Sequence, residues 1–493
     1  GAAETVCYPF GFGLSYTSFS LEVLKAGEEN GTVQAQVRVR NTGDRAGKEV
    51  IQLYFCPPRG LLQKPVRNLA AFRKTGLLAP GESETVTLSF AAADMASFDD
   101  LGKIAPFAWV LEKGRYDLYL GTSVRDAEKL DFAWEQAETE IVRQCRNVLA
   151  PSQLAKRLQA DGTWEYLPAA PAVDTDANAL VPLDPNTLEA VAPEARARGR
   201  YWLAQPFPEG VRPLSEVAEG KLTLDAFMAQ LRDEDLIHLL GGQSNVGVSN
   251  TFGIGNLPEY GVPNITTADG PAGLRIQPEV GVCTTAWPCA TLLAATWDED
   301  LVSRAGEAAA AEVKENNISV WLAPAVNIHR SPLCGRNFEY DSEDPLLAGK
   351  IAAAMVRGIQ SQNIAATVKH FACNNKETNR KNSDSRLSQR ALREIYLRPF
   401  EIVIREAGPW AVMSSYNIIN GRRASESREL LTSILREEWG YAGLVMSDWW
   451  TRGEHYKELL AGNDLKMANG YPERVEEAMK LGAVNRSDLK ICA

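Results

Sequence analysis

From about residue 221 onward the chain alternates short apolar runs with longer amphipathic stretches, and nothing else in it limits the fold so strongly. Runs at 264–268, 318–323, 364–368, 410–413 and 444–446 have the length and apolar content of strands buried on both faces. Between them, 298–315, 345–362, 388–406 and 427–439 carry apolar residues at helical spacing. In the last of these Leu430, Leu431, Ile434 and Leu435 form one stripe, and Gly440 is a stop signal. Ahead of them, 222–240 holds helix patterns with Thr223 and Asp233 as candidate caps, ending at Gly241-Gly242. Alternation of this kind means parallel strands joined by right-handed crossovers, and over about 270 residues it points to a TIM-type barrel. Fewer than eight strands are clear, which leaves an irregular barrel or an open doubly wound sheet as the alternatives.

The first part of the chain has a different period. Segments 33–39, 50–55, 84–90 and 116–120 alternate apolar and polar residues, as half-buried strands do. Asn41-Thr-Gly43, Pro57-Pro58, Pro80-Gly81 and Lys113-Gly114 punctuate them with turn chemistry. A β-sandwich of about 100 residues is the natural outcome. It clusters no titratable groups and reads as a packing module. Before it, Tyr8-Pro-Phe-Gly-Phe-Gly-Leu-Ser-Tyr16 is too rich in rings and glycine to form a helix and must lay its rings on a neighbour. After it, 150–210 is rich in Pro, Ala and Asp and reads as a surface connector.

A formal net charge of -11, with no run of Lys and Arg, argues against a nucleic-acid partner. No apolar stretch approaches the roughly 20 residues that span a bilayer, so no membrane partner is expected. The sequence as given carries no signal peptide and suggests a cytoplasmic protein, although its first residue, Gly1, leaves an upstream segment open. The 8 cysteines lack the short paired spacing of a zinc site and fit free thiols, with Cys283 to Cys289 the one pair spaced for a bridge. The 4 histidines are far apart, and neither metal nor cofactor is called for.

Polar groups follow every strand candidate. After the first comes Asp269, with Arg275 close behind; after the second, Asn327 and then Arg336 and Glu339. Lys369-His370 end the third, Ser414-Ser415-Tyr416-Asn417 the fourth, and Asp448-Trp449 the fifth. In a barrel all these ends open at one mouth, where such folds keep their chemistry. Carboxylates, cations, a histidine and aromatic rings together suit a neutral ligand with hydroxyls and an apolar face, that is, a sugar. Singly each residue has a plain alternative: Asp448 as a helix cap, Lys369 as a surface charge, His370 as a core histidine.

Ala268-Asp-Gly-Pro-Ala-Gly-Leu-Arg275, Gly335-Arg-Asn-Phe-Glu339, Lys369-His-Phe-Ala-Cys-Asn-Asn375, Met413-Ser-Ser-Tyr-Asn417 and Val445-Met-Ser-Asp-Trp449 resemble, in order, the motifs of family 3 glycoside hydrolases, especially bacterial β-glucosidases. The Tyr8 to Tyr16 segment and the sandwich resemble that family's fibronectin type III-like domain. The resemblance implies a linker over 1–19, the fibronectin type III-like β-sandwich over 20–135, a connector over 136–220 and a TIM-type catalytic barrel over 221–493. It makes Asp448 the nucleophile of a retaining mechanism, with Lys369 and Arg336 keeping it ionised by opposite charge. Asp269, Arg275, Arg336, Lys369, His370, Tyr416 and Trp449 would bind the sugar. The implied activity is an exo-acting β-glucosidase working on β-glucosides or short β-linked oligosaccharides. A β-xylosidase or mixed β-glycosidase, and a non-catalytic sugar-binding scaffold, are the alternatives, and a homo-oligomer is left open.

The pattern departs from the family in one respect. A retaining glycosidase needs a second carboxyl group about 5 Å from the first as general acid and base. In the β-glucosidases this sequence resembles, that Glu lies on an α/β sandwich domain between barrel and fibronectin-like domain. Here the order looks permuted, and that domain is expected on the same longer polypeptide or on a second chain. Members that place a His-Asp pair on the loop after the Lys-His motif offer no way out, because the loop 371–384 has no His. Glu339 and Glu377 are the nearest barrel carboxylates and are expected to brace Arg and Lys side chains.

Overall fold

The computed structural model describes residues 6–151, 154–159, 161–167, 207–245 and 247–493. Most of the 150–210 stretch expected to be a connector, and the first five residues, lie outside the described residues.

Alternation in the first part does produce a two-layer sandwich. Strands β1 (Phe19–Glu29), β2 (Thr32–Asn41) and β5 (Ser83–Ala91) form one sheet in the order β1-β2-β5. The facing sheet, β4-β3-β8-β9, uses β3 (Val50–Cys56), β4 (Asn68–Lys74), β8 (Gly114–Gly121) and β9 (Glu128–Gln136). On β2, Val33, Ala35, Val37 and Val39 all point inward against Ile51, Leu53, Leu88 and Leu118, because every second side chain of a strand faces the same side. Sequence reasoning passed over β1, β4 and β9, whose faces are only partly buried and whose alternation is correspondingly blurred. A third small sheet, β10-β7-β6, joins β6 (Ser97–Asp99), β7 (Ala108–Leu111) and β10 (Glu140–Gln144), and β11 (Lys156–Leu158) pairs with β12 (Trp164–Tyr166).

The second part is built on a six-stranded sheet in the order β13-β14-β15-β16-β18-β21. Its members are β13 (Gly253–Leu257), β14 (Val262–Ala268), β15 (Val320–Trp321), β16 (Ala365–Phe371), β18 (Ala411–Ser414) and β21 (Leu444–Ser447). From β14 to β21 the pairing is parallel throughout, while β13 runs antiparallel to β14. A separate small sheet on the same side of the chain, β17-β19-β20, comprises β17 (Asp384–Ser385), β19 (Ile418–Ile419) and β20 (Arg422–Arg423). The expected strand at 318–323 shrinks to two residues.

Helices fall between these strands at Glu299–Glu315, Pro345–Ser361 and Arg398–Ala407, the first two N-capped by Asp298 and Asp344. The 427–439 pattern is helical but adopts π-type turns over Glu429–Glu438. The 222–240 stretch is two helices, Leu224–Gln230 capped by Thr223, and Asp233–Leu239, whose cap is Arg232 with Asp235 and not Asp233.

Backbone hydrogen bonds carry the sheet beyond its six strands. Ser447 N donates to Leu465 O at 2.9 Å, Gly242 N to Lys466 O at 3.1 Å, and Gln243 N to Gly253 O at 2.7 Å. Two short segments, around 465–466 and 241–243, therefore link β21 back to β13, and the hydrogen-bonded circuit returns on itself. Close approach is what requires glycine here: a Cβ on Gly242 would sit 1.7 Å from Ala468 O. The main core lies between this sheet and its outer helices, with Val368, Val412, Val445, Phe371, Phe400 and Ile434 fully or almost fully buried.

Sandwich and sheet domain share an apolar seam. Trp297 packs against Phe10 at 5.3 Å and, edge-on, against Phe72 at 5.1 Å between ring centroids. Tyr54, Leu69, Leu293, Ile351 and Ala354 complete that cluster. So Phe10 of the aromatic N-terminal segment finds a partner within this chain, whereas Tyr8, Leu14 and Tyr16 are exposed.

Candidate active site

The carboxyl ends of the parallel strands converge on a cavity of about 520 Å³. Asp269, Arg275, Arg336, Lys369, His370, Tyr416, Asp448 and Trp449, all singled out from the sequence, line it. They come from five different strand ends, and the shared mouth is a consequence of parallel pairing: each strand must exit on the same side.

Asp448 follows directly on β21, its amide donating to Ser414 O at 3.1 Å, so its position is set by the ladder between β18 and β21. Burial pushes its carboxyl up to about 6; the charges of Arg336, Lys369 and Arg380, and the neighbouring Tyr416 hydroxyl, pull the other way without cancelling the rise. Lys369 and Arg336 do favour the ionised form of Asp448, and a value of about 6 leaves the carboxyl mostly ionised at neutral pH; what the sequence did not reveal is the size of the opposing desolvation. Both cations have nearer partners, and desolvation at 8% exposure outweighs what they contribute.

Lys369 is almost fully buried and donates to Asp269 Oδ1 at 2.7 Å, while Arg275 reaches Asp269 Oδ2 at 3.2 Å. Burial raises the Asp269 carboxyl, but the Lys369 charge and hydrogen bond, Gly270 N and Arg275 outweigh it and hold it down at about 2. Two carboxylates in one cavity are thereby driven apart, one firmly ionised and one near the middle of its titration at mildly acidic pH.

Arg336 donates from Nη2 to His370 Nε2 at 2.9 Å and pairs with Glu339 at 2.5 Å and Glu377 at 3.8 Å. A guanidinium cannot accept, so Nε2 of His370 is the acceptor and its ring proton sits on Nδ1, facing Tyr340 Oη at 3.4 Å. Burial first, then the charges of Arg336, Lys369 and Arg380, hold His370 well below its ordinary pKa, and the ring is neutral. Its main chain is clamped by Asn327, which accepts from His370 N and donates to His370 O, both at 2.9 Å.

Tyr416 donates its hydroxyl to Trp449 O at 2.9 Å and lies within hydrogen-bonding reach of Asp448. Trp449 and Trp450 have φ of +30° and +52°, left-handed values that cost energy for such side chains. The surrounding contacts must hold this strained turn in place directly beside the buried carboxylate.

Sequence reasoning missed several lining groups. Arg380 and Lys381 approach the face of Tyr416 at 4.7 and 5.3 Å from its centroid, and Arg380 pairs with Glu377 at 3.1 Å. They lie in the loop 371–384, where no hydrophobic period marks which side chains turn inward. Asn250, Thr251 and Phe252 come from irregular backbone without periodicity, Phe338 from the 3₁₀ turn Asn337–Glu339, and Trp450 from the residue next to Trp449. Glu339 and Glu377 do brace arginines, as expected.

A family model described as "Glycosyl hydrolase family 3 N terminal domain" matches residues 257–491, and one described as "Fibronectin type III-like domain" matches 49–124. Beta-glucosidase A of Butyrivibrio fibrisolvens is 56% identical over 512 aligned residues, covering 99% of this chain and 62% of its own length. The solved structure of a beta-glucosidase from Paenibacillus barengoltzii superposes with a TM-score of 0.86 at 39% identity, covering 99% of this chain and 56% of that one. Beta-glucosidase 3B from Thermotoga neapolitana, in complex with alpha-D-glucose, gives a TM-score of 0.52 at 42% identity over 54% of this chain and 40% of that one. The chain therefore spans 62% and 56% of the length of the first two proteins.

Proposed function

This chain belongs to glycosyl hydrolase family 3, and from that premise we propose that it carries the sugar-binding and nucleophilic half of a retaining, exo-acting β-glucosidase. The observation that supports this most directly is Asp448, buried at a strand end inside a cavity whose other polar groups, Asp269, Arg336, Lys369 and His370, are themselves ordered by mutual pairing. In this reading Asp448 attacks the anomeric carbon, the aglycone leaves, and water later hydrolyses the glycosyl ester. Asp269, Arg275, Arg336, Lys369 and His370 hold the outer hydroxyls, Tyr416 orients the nucleophile, and Trp449 flanks the ring.

The hydrogen-bonded circuit of eight segments is, in the same reading, an irregular TIM-type barrel: three of its segments are reduced to two or three residues and one strand is reversed. Alignment across both domains with the Butyrivibrio and Paenibacillus proteins, against 54% with the Thermotoga structure, supports a permuted domain order.

In this reading the general acid is supplied by a further domain, as the resemblance implies. Among the described residues Glu339 and Glu377 are the carboxylates nearest the motifs, and both are engaged by arginines. The exposed rings of Tyr8 and Tyr16 and the lengths of the relatives support a further domain seated near the N-terminal segment.

A 2-deoxy-2-fluoro glucoside tests the assignment. In the complete protein it should label the peptide containing Asp448; labelling on Glu339 or Glu377, or a clear preference for aryl xylosides over aryl glucosides, would overturn it.

A further inference from the structure

The turn that leaves Asp448 is held from behind by a buried ionic triangle that does not line the cavity. Lys466 and Glu458 are 1% and 0% exposed, and Lys466 Nζ donates to Glu458 Oε2 at 2.7 Å. The same ammonium donates to Thr451 Oγ1 at 2.8 Å and to Gly453 O at 3.0 Å. Thr451 Oγ1 in turn donates to Glu458 Oε1 at 2.7 Å. An ammonium cannot accept and a carboxylate cannot donate, so the Thr451 hydroxyl has one orientation available, accepting from Lys466 and donating to Glu458. Packing leaves no slack: a Cβ on Gly453 would meet Glu458 Oε1 at 2.2 Å.

Two further bonds tie the turn to the segment that carries Lys466. Trp450 N donates to Met467 O at 2.9 Å, and Met467 N donates to Ser447 Oγ, also at 2.9 Å. Between these ties lie Trp449 and Trp450, the two left-handed residues, with Trp449 O receiving the Tyr416 hydroxyl. Left-handed backbone at two successive tryptophans persists only if its surroundings over-determine it.

We propose that Lys466, acting through Thr451 and Glu458, is a positioning residue that holds the Trp449-Trp450 turn, and with it the Asp448 carboxylate and the Tyr416 hydroxyl, in the geometry for attack. The inference rests on the reading of Asp448 as nucleophile.

Removing Lys466 would strand a buried Glu458 and endanger the fold, so the test is made at Thr451. In the complete protein Thr451→Val keeps the side-chain shape and the Lys466–Glu458 pair but removes the hydroxyl that links both partners to the turn, leaving only the ammonium's backbone contacts to Thr451 O and Gly453 O. On an aryl β-glucoside its kcat should fall about tenfold or more with the pH profile unmoved, while Thr451→Ser should stay within about threefold of the parent. Ser425→Ala removes a comparable hydrogen bond, 2.6 Å to the same Glu458, that does not touch the turn, and should leave kcat unchanged. Hydrogen exchange reads the geometry independently of activity: the amides around Trp450 and Thr451 should exchange about tenfold faster in Thr451→Val. An inactive parent overturns the functional reading alone. Unchanged exchange in Thr451→Val, or unchanged kcat in an active parent, overturns this inference, as would an equal loss in Ser425→Ala.

Discussion

Lys369 Nζ donates to Asp269 Oδ1 at 2.7 Å, joining two residues 100 apart in the chain across the mouth of the sheet. Neither residue carries its ordinary meaning alone: the ammonium is buried because the carboxylate neutralises it. Replacing Asp269 with Ala leaves that charge uncompensated, which costs about 3 kcal/mol for a buried pair. The loss should appear in the urea midpoint, together with a fall in kcat/KM of about 10- to 100-fold from the lost charged hydrogen bonds to sugar. Wild-type stability in this variant would mean that Lys369 has another counter-charge.

Asp448 makes the opposite entry in the stability curve. Its carboxyl stands at about 6 in the folded protein against an ordinary 3.8, so the folded state holds the proton more tightly than the unfolded chain. Stability contributed by this group is present at low pH and is lost as pH rises through the window from about 4 to 6, by about 2–3 kcal/mol in total. Asp448→Asn should therefore abolish turnover and, above pH of about 6, melt at a higher temperature than the parent, with the two curves converging near pH of about 4. Melts that differ by a constant amount across that range would refute the linkage.

If the ionised form of Asp448 is the nucleophile, kcat/KM of the free enzyme should decline below pH of about 6. Arg380 is one of three cations that pull this carboxyl down, after burial has pushed it up. Arg380→Gln should move the acid limb to higher pH, the direction expected for a lost positive neighbour. A limb that stays in place would assign it to a different group.

Trp297 joins the two halves of the chain, and its indole lies between Phe10 and Phe72. Trp297→Ala should destabilise the protein by about 3–5 kcal/mol. Calorimetry should then resolve two transitions where the parent is expected to give one, because Trp297 centres an apolar cluster shared by the sandwich and the sheet domain. A single transition at the parental temperature would show that ion pairs between the two domains, such as Lys48–Asp298 at 3.2 Å and Arg143–Glu401 at 2.7 Å, suffice.

If, as proposed, a further domain supplies the general acid, residues 1–493 alone should be slower on cellobiose by roughly 10² to 10⁴ than a protein that includes that domain. Dinitrophenyl glucosides, whose leaving group needs no proton, should suffer least. Full activity on cellobiose from this chain alone would locate the acid inside it.

Much of this was legible in the sequence for a local reason. Strand and helix periods are written into neighbouring residues, and so are the motifs at strand ends, where a polar group must follow an apolar run to reach the cavity. Asp269, Arg336, Lys369, His370, Tyr416 and Asp448 could be collected in that way because each stands at or soon after such a run. Arg380 and Lys381 could not, since they enter from the loop 371–384, where no period marks which side chains turn inward.

What the sequence determined by itself was the alternation, the sandwich core on β2 and β5, and the set of strand-end residues, because all of these depend on spacings of a few residues. Only the tertiary structure decided how the charges were shared. Lys369 serves Asp269 first, Arg336 serves His370 and Glu339, and Asp448 is left partly uncompensated, so that burial and not its neighbours sets its proton affinity. The same holds for the segments 241–243 and 465–466, which complete the sheet's circuit. They are too short to carry a period, and they bridge the sheet because glycine at 242 lets two backbones meet and β21 and β13 offer them hydrogen-bonding groups. Long-range partners, not local propensity, supply the energy in both cases.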